Sequence, residues 1–170
     1  LASGGNFVFP AGLAVGPTGD LFVVDLDSCG GNQGGGIKVD PTTGAQTVLA
    51  CGGFFGNPVG LAVVPVPRAV VVGAGPGGGP HVRGFAATTG AELASFTAPF
   101  NIQSWSGLAI QPSTGHLWLG AVNGGGQVVE YAIGGGGSTL TEVRRLDLTS
   151  QGVNQNEISG LSFAPDGALW

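Results

Sequence analysis

With 170 residues, the chain has room for one domain with a substantial core. Only 5 residues are basic against 10 acidic, a formal net charge of −5. That leaves no basic stripe for nucleic acid and no cationic patch for anionic lipid. No apolar run is long enough for a membrane-spanning helix, and the chain carries no secretory leader and no Met, which predicts a mature or excised product. The 35 glycines and 11 prolines would suggest low complexity if they lacked a period. Here they recur at fixed places among 42% hydrophobic residues and read as turn punctuation between strands.

In chain order, "GNFVFP" (5–10) predicts a lone strand, the outer strand of a unit preceding the first repeat. "GLAVGPTGDLFVVD" (12–25) holds two apolar runs around a turn. Proline pre-sets φ at the first corner and glycine tolerates positive φ near the end, so the stretch predicts an antiparallel hairpin. "GIKVDPTTGAQTVLA" (36–50) predicts a second hairpin. The pair of hairpins then recurs. "GLAVVPVPRAVVVG" (60–73) is followed by "HVRGFAATTGAELASF" (81–96), and "GLAIQPSTGHLWLG" (107–120) by "GQVVEYAIGGGGSTLTEVRRLDL" (126–148). "GLSFAPDGALW" (160–170) begins a fourth copy. Proline falls five residues after each leading glycine, at Pro17, Pro65, Pro112 and Pro165, which predicts four equivalent turns on one face.

Repeats of about 50 residues point to propellers or solenoids. Four strands per repeat without helical periodicity select a propeller blade. The second strands, "LFVV" and "AVVVG", are apolar without alternation, as expected for strands buried on both faces between neighbouring blades. The fold read from the sequence is therefore all-β: a β-propeller with four-stranded antiparallel blades, about three and a half of them in this chain. Blade 1 is expected at about 11–52, blade 2 at about 59–99, blade 3 at about 106–149, and a partial blade 4 at about 158–170.

Cys29 and Cys51 are the two cysteines and form no CxxC pattern. They predict one disulfide rather than a metal site. Closing a loop with the two cysteines 22 residues apart would stabilise by about 3 kcal/mol and fits an oxidising, extracellular setting.

The phrase "P-x-GLAV-x-P-x-G-x-LFV-x-D" resembles the repeats of the NHL, streptogramin-lyase and gluconolactonase-like propellers. "VVVGAGPGGGPHVRGFAATTGAELASF" (70–96) resembles the FG-GAP-like repeat of secreted bacterial surface proteins, without the Asp-x-Asp-x-Asp-Gly calcium run of many such repeats. The resemblance implies a secreted, bacterial-type protein. In gluconolactonase-like enzymes a Glu entering a blade, an Asn and an Asp hold a divalent metal. Carried to this chain, that role falls to Glu157, Asn123 and Asp25 or Asp27, an oxygen set suited to Ca²⁺. The other blade entrances, "VFPAG", "GNPVG" and "SWSG", carry no acid.

Topology would collect Asp25, Asp27, Asn32, Asn57, His81, Asn123, Asn154 and Glu157 on one face, with the cysteines. Of these, Asp27, Asn57 and His81, with Trp105 at a blade entrance, are the ligand-face candidates. The same residues otherwise read as solvated loop positions satisfying backbone amides. His116 falls on the opposite face from His81, so no Ser-His-Asp arrangement is visible. "GAGPGGGP" (73–80) precedes a strand, not a helix, and lacks a following Lys-Ser/Thr. It reads as a strand connection rather than a phosphate cradle. Trp118 and Trp170 share the slot of Phe22 and are expected in the core.

The reading that results is an extracellular propeller acting as a non-catalytic binding or structural module, with no catalytic residues and no cofactor. One alternative is a metal-dependent lactonase- or lyase-like enzyme. Another is a self-assembling building block. Expected partners are further copies of the chain, the missing blades of a longer one, or a protein or carbohydrate.

Overall fold

The computed structural model describes residues 3–52, 55, 58–64, 68–74, 80–97, 104–122, 126–134, 139–153, 158 and 160–170. Three four-stranded antiparallel sheets follow one another along the chain. Blade 1 is β1 (Pro10–Val15), β2 (Leu21–Asp25), β3 (Gly35–Val39) and β4 (Gln46–Cys51), paired in that order. Blade 2 is β5 (Pro58–Val64), β6 (Arg68–Ala74), β7 (Pro80–Ala86) and β8 (Glu92–Thr97). Blade 3 is β9 (Ser104–Ile110), β10 (Leu117–Val122), β11 (Gln127–Gly134) and β12 (Thr139–Asp147). A short C-terminal hairpin follows, held by the Phe163–Leu169 bridge and by reciprocal hydrogen bonds between Ser162 and Trp170.

The cores lie between blades. Phe22 and Val24 of blade 1 pack with Phe55, Leu61, Phe85 and Ala87. Ala62 and Val82 of blade 2 meet Leu108, Leu117, Leu119, Val129 and Tyr131 of blade 3. Trp118 and Val128 meet Ile158, with Leu161, Phe163 and Leu169 of the hairpin packed around them. Successive side chains of a strand point to opposite faces. In blades 1 and 3 the second strand packs on both faces, so its unalternating run is buried: Val24 and Leu117 have no exposed surface.

The leading glycines have a packing reason. Inner strand β1 packs on β5, and β5 on β9. A Cβ on Gly12 would stand 3.4 Å from the Gly60 Cα, and one on Gly107 3.0 Å from the Gly160 carbonyl carbon. At Gly107 a side chain would hold the backbones of β9 and the C-terminal hairpin apart.

The hairpin turns lie on one face, here the turn face, but they are not all equivalent. Around Pro17 and Pro165 the chain makes the same tight turn: Gly16 N–H to Asp20 O and Gly19 N–H to Gly16 O, repeated as Ala164 to Ala168 and Gly167 to Ala164. The Pro112 turn holds one more residue and closes from Gln111 to His116, with Gly115 donating to Gln111. That is the pattern of the Thr-Thr-Gly turns, where Asp40 closes on Ala45 and Ala86 on Ala91. The expectation of four equivalent proline turns is thus corrected for Pro112, and Pro65 lies outside the described residues. The blades remain equivalent because the extra residue is absorbed before β10 begins.

Two further expectations are corrected. Residues 4–9 form turns and bends, not a strand, with Gly4 and Gly5 at φ +64° and +65°. They cross the outer face of blade 1, where Phe7 packs on Val23, Ile37 and Val39. Trp170 is 76% exposed, although Phe22 and Trp118 in the same slot are buried.

Candidate functional site

Asp25, Asp27, Cys29, Cys51, His81 and Trp105 all fall on the face opposite the hairpin turns, here the loop face. Asp25 ends β2, Asp27 and Cys29 lie in the β2–β3 loop, and Cys51 ends β4. His81 sits near the start of β7, paired with Gly73 and Thr97, and Trp105 near the start of β9, opposite Ala121. Asn57, Asn123, Asn154 and Glu157 lie outside the described residues. His116 lies at the start of β10, next to the turn face, as the topology required.

The Asp25 carboxylate is wholly buried. Its Oδ2 accepts hydrogen bonds from the Val8 and Phe9 N–H groups, both at 2.9 Å, and its Oδ1 from Asp27 N–H at 2.9 Å. Three amides converging on a carboxylate satisfy a charge that would otherwise be costly to bury. Asp27 Oδ1 in turn accepts from Asn32 N–H at 2.8 Å, and Asn32 takes a left-handed φ of 59°. Cys29 and Cys51 are disulfide-bonded with Cα atoms 5.7 Å apart, tying this loop to the end of β4. Both carboxylates of the expected metal set that are described here serve as backbone anchors. Among the described residues, no group of three His, Cys, Asp or Glu side chains converges on one point.

A second charged centre went unread in the sequence. Trp118, Glu130 and Arg144 stand opposite one another on β10, β11 and β12. Glu130 is 4% exposed. Its Oε1 accepts from His116 Nδ1 at 2.7 Å and its Oε2 from Arg144 Nε at 2.5 Å. The Arg144 guanidinium lies 4.7 Å from the Trp118 ring centroid, a cation–π arrangement, and the Trp118 indole N–H donates to Gln111 at 3.2 Å. Burial alone would raise the Glu130 carboxyl. The hydrogen bonds from His116 and Arg144 outweigh it and hold the carboxyl below the usual glutamate range. The available signal was Glu130 standing in an otherwise apolar run, "QVVEYAI", with two arginines on the next strand. The arrangement binds blade 3 together beneath the C-terminal hairpin.

On the turn face, a cleft between blades 1 and 2 has Phe22, Val63 and Ala87 in its wall and the Lys38–Asp20 ion pair, 2.9 Å, on its rim.

Sequential four-stranded blades packed face to face around converging inner strands define a partial β-propeller. No protein-family model and no curated protein sequence matches the chain. Among solved structures it is similar to the nidogen/laminin complex at TM-score 0.65 and 13% identity, over 91% of this chain and 52% of that one. It is similar to a Lactobacillus plantarum protein at 0.65 and 17%, over 98% and 48%. It is also similar to a Xanthomonas campestris gluconolactonase, important in glucose secondary metabolic pathways, at 0.65 and 14%, over 95% and 55%. The chain spans about half the length of these structures. At such identities the likeness establishes the fold.

Proposed function

We propose that this chain is a non-catalytic binding or structural module of an extracellular β-propeller protein. The observation that carries this reading is the use made of Asp25. On the face where a gluconolactonase-like propeller would build its metal site, this carboxylate is spent on the Val8, Phe9 and Asp27 amides. A ligand acid of a Ca²⁺ site must present free oxygen lone pairs to the ion. Buried against its own backbone, Asp25 is a clasp for the N-terminal arm instead. The Cys29–Cys51 disulfide beside it supports an oxidising, extracellular setting. Binding of a protein or carbohydrate fits the remaining loop face, where Trp105 and His81 are the candidate contacts. One of the structural neighbours is itself seen in a complex of two proteins.

The test is direct. Adding Ca²⁺ should leave the melting temperature unchanged, and hydrolysis of a gluconolactone should stay at the uncatalysed rate with or without divalent cations. Saturable, metal-dependent lactone hydrolysis, abolished by Glu157→Gln, would overturn the reading and favour an enzyme.

A further inference from the structure

We propose that the Asp40–Pro41 peptide bond is a self-cleavage site, with the Asp40 carboxylate as the attacking group, and that blade 1 is built to stay assembled after the cut. This goes beyond the module reading and does not depend on it.

Among the 11 prolines of the chain, Pro41 alone follows an aspartate. A proline nitrogen belongs to a tertiary amide and leaves as a secondary amine. An aspartate carboxylate can close on its own carbonyl carbon through a five-membered ring, so the attack is intramolecular. The turn supplies the rest. Gly44 N–H donates to Asp40 O, the carbonyl under attack, at 2.8 Å. A donor on that oxygen stabilises the negative charge that develops there. The Thr42 and Thr43 N–H groups donate to Asp40 Oδ1 at 2.7 and 3.0 Å, holding the carboxylate on the turn that contains the bond. The Thr43 and Thr42 amides also keep the carboxyl below the usual aspartate range, so the anion persists into acid, where protons for the leaving nitrogen are more plentiful. Lys38 on β3 acts in the same direction, and Asp20 across from it is paired with Lys38 at 2.9 Å. The turn's fold does not account for the Asp-Pro pair. Ala86–Ala87 stands in its place in blade 2 and makes the same turn. Ala86 N–H donates to Ala91 O at 2.9 Å and Gly90 N–H to Ala86 O at 2.8 Å, as Asp40 does to Ala45 and Gly44 to Asp40.

In the reaction a carboxylate oxygen of Asp40 bonds to the Asp40 carbonyl carbon, the carbon–nitrogen bond to Pro41 breaks, and the nitrogen leaves with a proton from solvent. Water then opens the cyclic anhydride, so one water is consumed and Asp40 ends with two carboxyl groups. The cut falls at the tip of the β3–β4 hairpin, and three ties span it. The ladder from Gly35–Cys51 to Val39–Gln46 joins the two strands. The Cys29–Cys51 disulfide brackets the cut, since residue 40 lies within its 22-residue separation. The N-terminal arm reaches across as well: Asn6 N–H donates to Gln46 Oε1 at 2.7 Å, Gln46 Nε2 donates to Gly4 O at 3.0 Å, and Phe7 packs with Val48. The cut product is therefore a two-chain molecule with blade 1 intact, and its pieces separate covalently only on reduction.

The experiment holds the 170-residue chain and its Asp40→Ala and Pro41→Ala variants at the lowest pH at which circular dichroism is native. A parallel wild-type sample is unfolded in guanidinium chloride, and intact mass is followed with and without reductant. Folded wild type should gain the mass of one water without reductant and separate into residues 1–40 and 41–170 with it. The cut chain should keep its native spectrum and gel-filtration volume in the absence of reductant. Asp40→Ala places alanine where blade 2 has Ala86, so it should fold as wild type and stay uncut. Pro41→Ala should be cut about tenfold more slowly or less, since its leaving nitrogen is no longer that of a tertiary amide. Unfolding should slow the wild-type reaction about tenfold or more, because the Gly44, Thr42 and Thr43 donors are lost. A folded wild type that stays intact would overturn the proposal. So would equal rates in the folded and unfolded chain, which would make the bond labile by sequence alone. A cut chain that loses its native spectrum before reduction would overturn the assembly half. None of these outcomes touches the lactone and Ca²⁺ assays, so failure here is distinct from failure of the module reading.

Discussion

Asp25 shows how far the role of one side chain depends on a distant segment of the chain. The resemblance to gluconolactonase-like propellers offers it for a metal set with Asn123 and Glu157, which lie outside the described residues. Folding the N-terminal arm back across blade 1 turns its lone pairs inward. Asp25→Asn keeps the size but replaces one acceptor oxygen with an amide and removes the charge. The expected cost is about 2 kcal/mol, with faster hydrogen exchange at the Val8 and Phe9 amides than anywhere in β11. Glu130 is the second buried acid, and its effect depends on pH. Its folded carboxyl titrates below the usual range, so its network stabilises the protein above the ordinary glutamate range and loses that contribution as pH falls through the folded value. Glu130→Gln should be less stable than wild type by about 2 kcal/mol at neutral pH. The gap should narrow on acidification, as read from urea melts across pH. A gap that stays constant with pH would assign the effect to packing.

At the level of elements, the β2–β3 loop is the part of blade 1 with the most non-ladder support. Asp27 bonds the Asn32 amide, Cys29 N–H donates to Gln33 O at 3.1 Å, and Gly52 N–H donates to Gly34 O at 2.9 Å. The disulfide fastens this loop to the end of β4, so it constrains the loop face without crossing between blades. Replacing both cysteines by serine should cost about 3 kcal/mol, and reductant should lower the wild-type melting temperature while leaving the double variant unmoved. The hairpins themselves were legible because Pro and Gly sit at turn corners. The difference at Pro112 is also present in the sequence, where "QPSTGH" has one residue more than "GPTGD". That single residue converts a tight turn into the Thr-Thr-Gly pattern used elsewhere in the chain.

Across the whole molecule, the leading glycines differ in how closely the next blade approaches them. A Cβ at Gly107 would stand 2.8 Å from Leu161 Cγ as well as 3.0 Å from the Gly160 backbone, whereas one at Gly60 would meet nothing closer than Leu108 Cβ at 3.6 Å. Gly107→Ala should therefore destabilise by about 2 kcal/mol, since overpacking forces the C-terminal hairpin off blade 3. Gly60→Ala should fall within about 0.5 kcal/mol of wild type. Equal losses at the two positions in a chemical melt would count against the inner strands as the close contact.

The sequence by itself determined the strands, their pairing within each blade and the disulfide, because these depend on local signals: turn residues, runs of apolar residues and a repeat that writes them again and again. It determined too that Phe22 and Trp118 are core, since their slot is sandwiched wherever a blade follows. Only the tertiary structure decided that the Arg144 guanidinium would lie over the Trp118 ring. It also decided that "GNFVFP" would cap a sheet face rather than extend one, and that Asp25 and Glu130 would be satisfied by partners 14 to 17 residues away. Burial of a charge or an aromatic is a property of what lies across the gap, and no local pattern specifies the other side.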